Sequence, residues 1–137
     1  MSEAGYSGTP LQQKLGLREG MRVAFVGDVP EGLAERFTGV ETSSRLTKDL
    51  DAIHLFVKKQ SELQTWGDKA LGVLGDKGML WVSWPKKSSG VPTDLTENVL
   101  RHVLLPTGWV DTKVCAVDDV WSGLKFVKRL ANRANPA

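Results

Sequence analysis

The chain has 137 residues, enough for one hydrophobic core and too few for two, so we expect residues 1–137 to form a single domain with an ordered core over about 8–131. Its 41% hydrophobic and 25% charged residues are ordinary for a globular protein, and a formal net charge of +2 gives no electrostatic reason to expect a nucleic-acid or membrane partner. The single cysteine, Cys115, excludes an internal disulfide framework. Together with the lack of a signal-peptide pattern, it predicts a cytoplasmic location.

The first predicted elements are short. A helix over Pro10 to Leu15 leads through a turn into the strand RVAFVG, Arg22 to Gly27. A second short helix follows Pro30, and Val40 to Thr42 predicts a brief edge strand. Arg22 to Gly27 is near-continuously apolar, as expected for a strand covered on both faces of a parallel sheet.

The middle of the chain predicts a strand, a helix and a further strand. The runs AIHLFV, Ala52 to Val57, and MLWVSW, Met79 to Trp84, are again apolar without polar alternation. Between them we expect a helix that begins at Ser61, where Gln64 completes a capping-box pattern, and ends before Gly75. This strand–helix–strand order predicts parallel neighbours joined by a crossover.

The last third predicts one helix and a hairpin. The helix begins at Thr93 or Asp94 and stops before a Pro-Thr-Gly sequence. At helical spacing it buries Leu95, Val99 and Val103. Trp109 to Val117 and Leu124 to Arg129 alternate in polarity around the turn-like segment Asp118 to Gly123, so they form the two strands of the hairpin.

This order resembles the Rossmann-like sheet of the class I S-adenosylmethionine methyltransferases, and LGDKGMLWVSWPK is similar to that family's glycine-flanked fifth strand. The resemblance implies an α/β protein with a reduced Rossmann-like three-layer fold, a mostly parallel sheet and a C-terminal antiparallel hairpin. It also implies that Leu124 to Arg129 pairs antiparallel with Met79 to Trp84, with Trp109 to Val117 at the edge. Only 24 residues, Asp28 to Asp51, connect the first two central strands, so one strand-and-helix layer of the family is missing.

The cofactor loop departs from that family. A methyltransferase or dinucleotide enzyme needs a glycine-rich turn after the first strand, because glycine lets backbone N–H groups approach the ligand. The turn here, GDVPEG from Gly27 to Gly32, lacks that spacing, and Pro30 removes a donor. Glu41 is a weak candidate for the acid that holds a ribose. We therefore predict a scaffold that has lost its cofactor, and we expect neither cofactor nor metal.

Four longer segments carry a second resemblance: AGYSGTPLQQKLGLREGMRVAFVG, LFVKKQSEL, LWVSWPKKSSGVPTDLTENV and LPTGWVDTKVCAVDDVWSGLKFVKR. Together they resemble a small bacterial family known as domain of unknown function 3052, over nearly the whole chain. The resemblance implies a stand-alone cytoplasmic domain. It implies no established chemistry.

Polar residues follow the central strands where their carboxyl ends should form one rim. There we expect the ligand-binding residues Lys58, Lys86, Lys87, Ser88, Ser89 and Thr93, and the rim aromatics Tyr6, Trp84 and Trp121. Lysines beside a Ser-Ser-Gly loop and a helix N-terminus favour phosphate or carboxylate. The alternative for the lysines is a solvated surface loop, and for the tryptophans an ordinary place in the core.

The sequence offers few residues that could form a catalytic site. His54 lies inside an apolar strand and His102 on a helix without a second metal ligand, while Cys115 is expected to be an inert buried thiol. Asp118 and Asp119 are adjacent acids at a hairpin turn, where capping is the usual role. No serine lies in a G-x-S-x-G turn.

We therefore predict a non-catalytic ligand-binding or interaction module with an anion site at the rim. Its ligand would be a phosphorylated or carboxylate small molecule. Two alternatives remain: a divergent S-adenosylmethionine-dependent methyltransferase, and an adaptor that docks a protein partner through Trp84, Trp121 and the lysine loop.

Overall fold

The sheet of this protein has six strands in the spatial order β2-β1-β3-β4-β6-β5. The computed structural model describes residues 10–133. The strands are β1 (Arg22–Gly27), β2 (Glu41–Ser43), β3 (Ala52–Phe56), β4 (Met79–Pro85), β5 (Trp109–Ala116) and β6 (Trp121–Lys128). The helices are α1 (Leu11–Lys14), α2 (Gln60–Val73) and α3 (Glu97–Leu104), with short 3-10 turns between elements.

The first four strands run parallel, as the apolar runs predict. β1 pairs with both β2 and β3, and β3 pairs with β4, all in parallel register. Every residue of β3 and β4 is buried, because helices or loops cover both faces of the sheet there. The α/β class and the mostly parallel sheet are confirmed.

The C-terminal hairpin is also confirmed, with its turn shorter than predicted. β6 pairs antiparallel with β4, and β5 lies at the edge of the sheet beside β6. β6 begins at Trp121, within the segment predicted as turn, because Asp118 Oδ1 accepts hydrogen bonds from the N–H groups of Val120 (2.8 Å) and Trp121 (2.7 Å) and closes the turn early. Asp118 therefore caps the turn, as adjacent acids at a hairpin usually do.

The N-terminus of α2 is capped differently from the prediction. The helix begins at Gln60, so Ser61 lies inside it and the Ser61–Gln64 capping box is wrong. Glu62 Oε1 instead accepts from the N–H groups of Lys58 (2.9 Å) and Lys59 (3.1 Å). From across the carboxyl edge, Asp94 Oδ1 accepts from the N–H of Gln60 (2.8 Å). Two carboxylates thus fill the N-terminus of α2.

The start of α3 is a second correction. The helix begins at Glu97, with Thr96 as its N-cap, and Thr96 Oγ1 accepts from the N–H of Val99 at 3.2 Å. Thr93 and Asp94 precede the helix because they bond to the segment before α2 instead. The buried residues of α3 are Leu100 and Leu104, while Val99 and Val103 are partly buried.

Two clusters of buried side chains lie on opposite faces of the sheet. One face is covered by α2 and α3, whose Leu63, Leu100 and Leu104 pack on the central strands. The other face carries no long helix; Leu15 after α1, and Leu33 and Phe37 beside a 3-10 turn, cover it. Within residues 10–133, no helix is both long and apolar enough to cross a membrane.

Candidate functional site

The carboxyl edge of β4 opens into a groove of about 600 Å³ between the loop after β4 and the start of α3. We call it the lysine groove, and the residues of interest in its lining are Trp84, Lys86, Lys87, Thr93, Thr96 and Glu97. Ser122 of β6 reaches the same groove because β6 pairs with the end of β4. Four of the predicted site residues, Lys86, Lys87, Thr93 and Trp84, are therefore brought together.

Lys86 and Lys87 are held in place by the backbone of their own loop. The N–H of Lys86 donates to the carbonyl of Val120 (2.8 Å), which ties the loop to the hairpin turn. Lys87 starts a one-turn 3-10 helix that ends at Gly90, a glycine in the left-handed region with φ 78°. Neither lysine forms an ion pair with any residue between 10 and 133. Both cations therefore stay available to a ligand from solution.

Thr93 lies in the groove wall, but its hydroxyl is engaged. Thr93 Oγ1 donates to the carbonyl of Lys58 at 2.6 Å and accepts from the N–H of Leu95 at 3.1 Å. Asp94 turns away and caps α2. Thr93 therefore fixes the shape of the groove, and the helix N-terminus that reaches the groove is the one capped by Thr96.

The first turn of α3 brings both donors and an acid to the groove. The N–H groups of Glu97 and Asn98 have no acceptor within the helix, because the first residues of a helix lack one. The Glu97 carboxylate opposes an anion; the Arg101 guanidinium lies 2.6 Å from it and 3.0 Å from the Asp111 carboxylate, so it offsets part of the charge of Glu97.

Three other predicted ligand residues lie outside the groove lining. Ser88 is exposed, and Ser89 Oγ accepts from the N–H of Val91 at 3.1 Å, so it shapes the loop. The Lys58 ammonium lies 3.8 Å from the Asp28 carboxylate, on the β1 side of the rim. The predicted aromatic Tyr6 lies outside the described residues.

The two remaining rim aromatics are buried. Trp84 and Trp121 are each 7% exposed, and Trp121 meets the ring of Phe56 edge to face with centroids 5.2 Å apart. The docking surface of exposed tryptophans expected for an adaptor is therefore wrong for these two residues, since side chains already packed in the core cannot anchor a partner. Trp84 still lines the lysine groove.

The turn after β1 is closed by the protein's own backbone. Gly27 has a φ of 97°, and a Cβ at this position would overlap the carbonyl oxygen of Phe56. That carbonyl also accepts from the N–H of Asp28 at 2.9 Å. The close approach that glycine allows is thus made by β3 rather than by a ligand, and Pro30 has no N–H to offer. At Asp28 and Pro30 the turn therefore offers no free N–H to a nucleotide or S-adenosylmethionine.

Glu41 lies at the wrong end of the sheet for a ribose-binding acid. It is the first residue of β2 and pairs in register with Arg22, the first residue of β1, so it sits at the amino edge. Its carboxylate is 3.5 Å from the Arg22 guanidinium. The suggestion that Glu41 binds a ribose beside Gly27 is therefore wrong.

A histidine–serine pair that the sequence analysis missed is sealed in the core. His54 Nε2 and Ser83 Oγ are 2.6 Å apart, and the two residues are 1% and 0% exposed. Burial lowers the pKa of His54 to about 3. His54 Nδ1 has no hydrogen-bond partner among the described residues. Polar residues in two adjacent apolar strands were the available signal. The register was not available: it pairs His54 with Trp81, two residues before Ser83, so that the two side chains meet diagonally. No substrate can reach this pair.

The other residues considered for catalysis or metal binding, Cys115 and His102, also lack a reactive arrangement among the residues described. Cys115 is 5% exposed, and burial raises the pKa of its thiol, which disfavours the reactive thiolate. His102 is exposed on α3. Over residues 10–133, no cluster of three His, Cys, Asp or Glu side chains could hold a metal ion.

Solved structures with a similar fold are methyltransferases. A Sulfolobus solfataricus protein described as a type 11 methyltransferase matches with a TM-score of 0.59 and 13% identity, covering 92% of this chain and 94% of that one. A SAM-dependent methyltransferase from Aquifex aeolicus matches with a TM-score of 0.60 and 17% identity, covering 85% of this chain and 86% of that one. Magnesium protoporphyrin IX methyltransferase from Synechocystis PCC 6803, solved with bound SAM, matches with a TM-score of 0.56 and 12% identity. The match covers 82% of this chain and 72% of that one.

These similarities establish a Rossmann-like, methyltransferase-like fold and, at such low identity, nothing about activity. No protein-family model matches the chain, and no curated protein matches it. Membership of the domain of unknown function 3052 family therefore stays a prediction from the sequence.

Proposed function

We propose that this protein is a non-catalytic ligand-binding module that holds a phosphorylated or carboxylate small molecule in the lysine groove. The observation that carries the proposal is the pair Lys86 and Lys87, which have no ion-pair partner among residues 10–133 and lie beside the N-terminus of α3. The two ammonium groups, together with the N–H of Glu97 in the groove lining, are the donors that an anion would use there.

The fold leaves α3 as the available helix N-terminus at the carboxyl edge. The N-terminus of α2 points to the same edge, but Asp94 Oδ1 already accepts from the N–H of Gln60, and Glu62 adds a second carboxylate that would repel an anion. The groove at α3 has one opposing charge, Glu97, which is paired with Arg101. An anion in the groove would therefore meet more positive than negative charge.

The binding role is favoured over catalysis because the reactive residue types are out of reach. His54 and Ser83 are sealed in the core, and Cys115 is a buried thiol with a raised pKa. The groove itself offers lysines, threonines, Ser122 and Glu97, whose carboxylate is paired with Arg101.

A divergent S-adenosylmethionine-dependent methyltransferase is the second candidate, and the structural neighbours favour it. It would have to bind the cofactor without the turn that normally holds it, because Asp28 N–H is engaged and Glu41 lies at the opposite edge. We therefore rank it below the binding module.

The test compares the parent with the double variant Lys86→Ala/Lys87→Ala in thermal melts with inorganic phosphate and with nucleotides. A ligand at a hundred times its dissociation constant adds about 2.7 kcal/mol, or roughly 9 °C for a chain of this size. The variant should melt like the parent without ligand, since exposed lysines stabilise little, and should lose the ligand-induced shift.

The matched control is Lys48→Ala/Lys69→Ala, which removes two exposed lysines outside the groove and should keep the full shift. A parent that is not stabilised by any anion contradicts the proposal. So does a shift that survives in the Lys86/Lys87 variant.

A further inference from the structure

A second cavity, of about 850 Å³, lies at the opposite edge of the sheet. It is enclosed by the segment around α1, the loop before β2 and the amino end of β4. We call it the amino-edge cleft, and the lining residues that carry the argument are Leu17, Arg18, Met21, Lys77, Met79 and Lys125. β4 separates it from the lysine groove by about 20 Å, because seven strand residues rise about 3.3 Å each.

The charged residues in the lining of this cleft are all basic. Arg18, Lys77 and Lys125 line it, and no aspartate or glutamate does. Between residues 10 and 133, none of the three cations has an ion-pair partner. Elsewhere on the described surface, Arg22, Arg101 and Lys128 each have a carboxylate within 4 Å. The cleft is therefore a local concentration of uncompensated positive charge.

Leu17, Met21 and Met79 form an apolar and adaptable part of the lining, beside the polar residues Gln12, Gln13 and Thr38. Met79, at the start of β4, is 8% exposed, and Leu17 is 5% exposed. Met21 is partly buried, and its sulfur accepts from the N–H of Arg18 at 3.2 Å. Two methionines give a surface that can adjust to an apolar ligand, since their side chains are unbranched and polarizable.

The walls are fixed before any ligand arrives. The side chain of Gln12 bridges them: its Nε2 donates to the carbonyl of Thr38 (2.8 Å) and its Oε1 accepts from the N–H of Thr38 (3.1 Å). Trp81 Nε1 donates to the carbonyl of Leu15 at 2.9 Å and holds the chain after α1 against the sheet. A preformed cavity is the usual form of a small-molecule site.

Lys125 is the residue that most needs a counter-charge. It lies on β6, paired in register with Trp81, and is partly buried. Burial lowers the pKa of its ammonium, and the nearby charges of Lys113 and Arg18 lower it further. A bound anion would offset both effects.

We propose that the amino-edge cleft binds a small amphipathic anion, a carboxylate or phosphate carried on an aliphatic or aromatic body. The acid group would lie among Arg18, Lys77 and Lys125, and the apolar body against Leu17, Met21 and Met79. Such a ligand matches both halves of the lining, whereas an inorganic anion matches the charges alone.

The test is a titration of the full chain with octanoate and with octyl phosphate below their micellar concentrations, observed through methionine methyl and tryptophan indole NMR signals. Saturable shifts should appear at Met21 and Met79, while any shift at the indole of Trp84 reports separately on the lysine groove. The stronger of the two ligands identifies the preferred acid group. Octanol and acetate, which carry only the body or only the charge, should each bind at least about tenfold more weakly, since a charge-assisted hydrogen bond contributes about that factor or more.

Lys125→Met and Lys77→Met should each weaken octanoate at least about tenfold, with folding checked by the unchanged dispersion of the indole signals. Lys69→Met, on α2, is the matched control and should bind like the parent. The proposal is overturned if neither amphiphile moves Met21 and Met79, if octanol binds as well as octanoate, or if the Lys125 and Lys77 variants keep the parent affinity. Because Met21 and Met79 report on the amino-edge cleft and Trp84 reports on the lysine groove, either result at the cleft leaves the proposed function to its own test.

Discussion

The buried pair His54 and Ser83 makes this protein sensitive to acid between about pH 6.5 and pH 3. In the folded state the imidazole is neutral, because burial lowers the pKa of His54 from 6.5 to about 3. In the unfolded chain the same group takes up a proton once the pH falls below 6.5. The unfolded state therefore binds more protons throughout this window, and stability falls as the pH falls.

The size of the effect follows from the two pKa values. Each pH unit below 6.5 costs about 1.4 kcal/mol, so at about pH 5 the contribution of His54 is a loss of about 2 kcal/mol. Above 6.5 the contribution disappears. Against a total stability of about 5–15 kcal/mol for a domain, this loss is readily measured by urea unfolding at about pH 7 and about pH 5.

The double variant His54→Phe/Ser83→Ala separates His54 from the carboxylates that also titrate. Phenylalanine can occupy the stack on Phe56, whose ring centroid lies 4.2 Å from that of His54, and alanine leaves no buried hydroxyl unpaired. The variant should lose about 2 kcal/mol less than the parent between the two pH values. His102→Gln, at an exposed site, should behave like the parent. An equal loss in the parent and the double variant would refute the reasoning.

Two further predictions concern the turn after β1. Calorimetry should detect no binding of S-adenosylmethionine at millimolar concentration, because Asp28 N–H is engaged and Pro30 has none; a micromolar dissociation constant would move the methyltransferase ahead of the binding module. Gly27→Ala should destabilise by at least about 2 kcal/mol in urea unfolding, since strain at φ 97° adds to overlap with the Phe56 carbonyl. Gly20→Ala, with φ 90° in open space, should cost only about 1 kcal/mol, and equal losses would show that the contact with Phe56 is unimportant.

The elements that the sequence predicts well are those whose burial is local. The strands β1, β3 and β4 can be predicted without knowing their neighbours in the sheet. A strand that is covered on both faces must be apolar whichever strands it pairs with. The hairpin follows from alternation around one turn. Even so, β6 begins at Trp121, earlier than predicted. Two hydrogen bonds to Asp118 set this boundary, and the alternation of polarity does not reveal them.

The features that the sequence could not give depend on residues far apart in the chain. The residues around Asp94 suggest that it caps the helix that follows it, α3. It caps α2 instead, by accepting from the N–H of Gln60, 34 residues earlier in the chain. The amino-edge cleft gathers Arg18, Lys77 and Lys125 from three separate segments, and no spacing rule connects them. The burial of Trp84 and Trp121 likewise depends on how the hairpin closes over the sheet.

The short connection between β1 and β2 is one reason why we place the proposed anion site on the β4 side of the carboxyl edge. Without a long helix after β1, the short connection to β2 must cover the second face with Leu33 and Phe37, and the turn at Gly27 closes against Phe56. The same segment cannot also present N–H groups to a nucleotide. Two carboxylates, those of Glu62 and Asp94, lie at the N-terminus of α2. Of the helix termini that the structure describes at this edge, the one beside β4, at α3, is therefore the one left for an anion. The lysine groove is therefore where we propose that a ligand binds, at the carboxyl edge that parallel sheets commonly use.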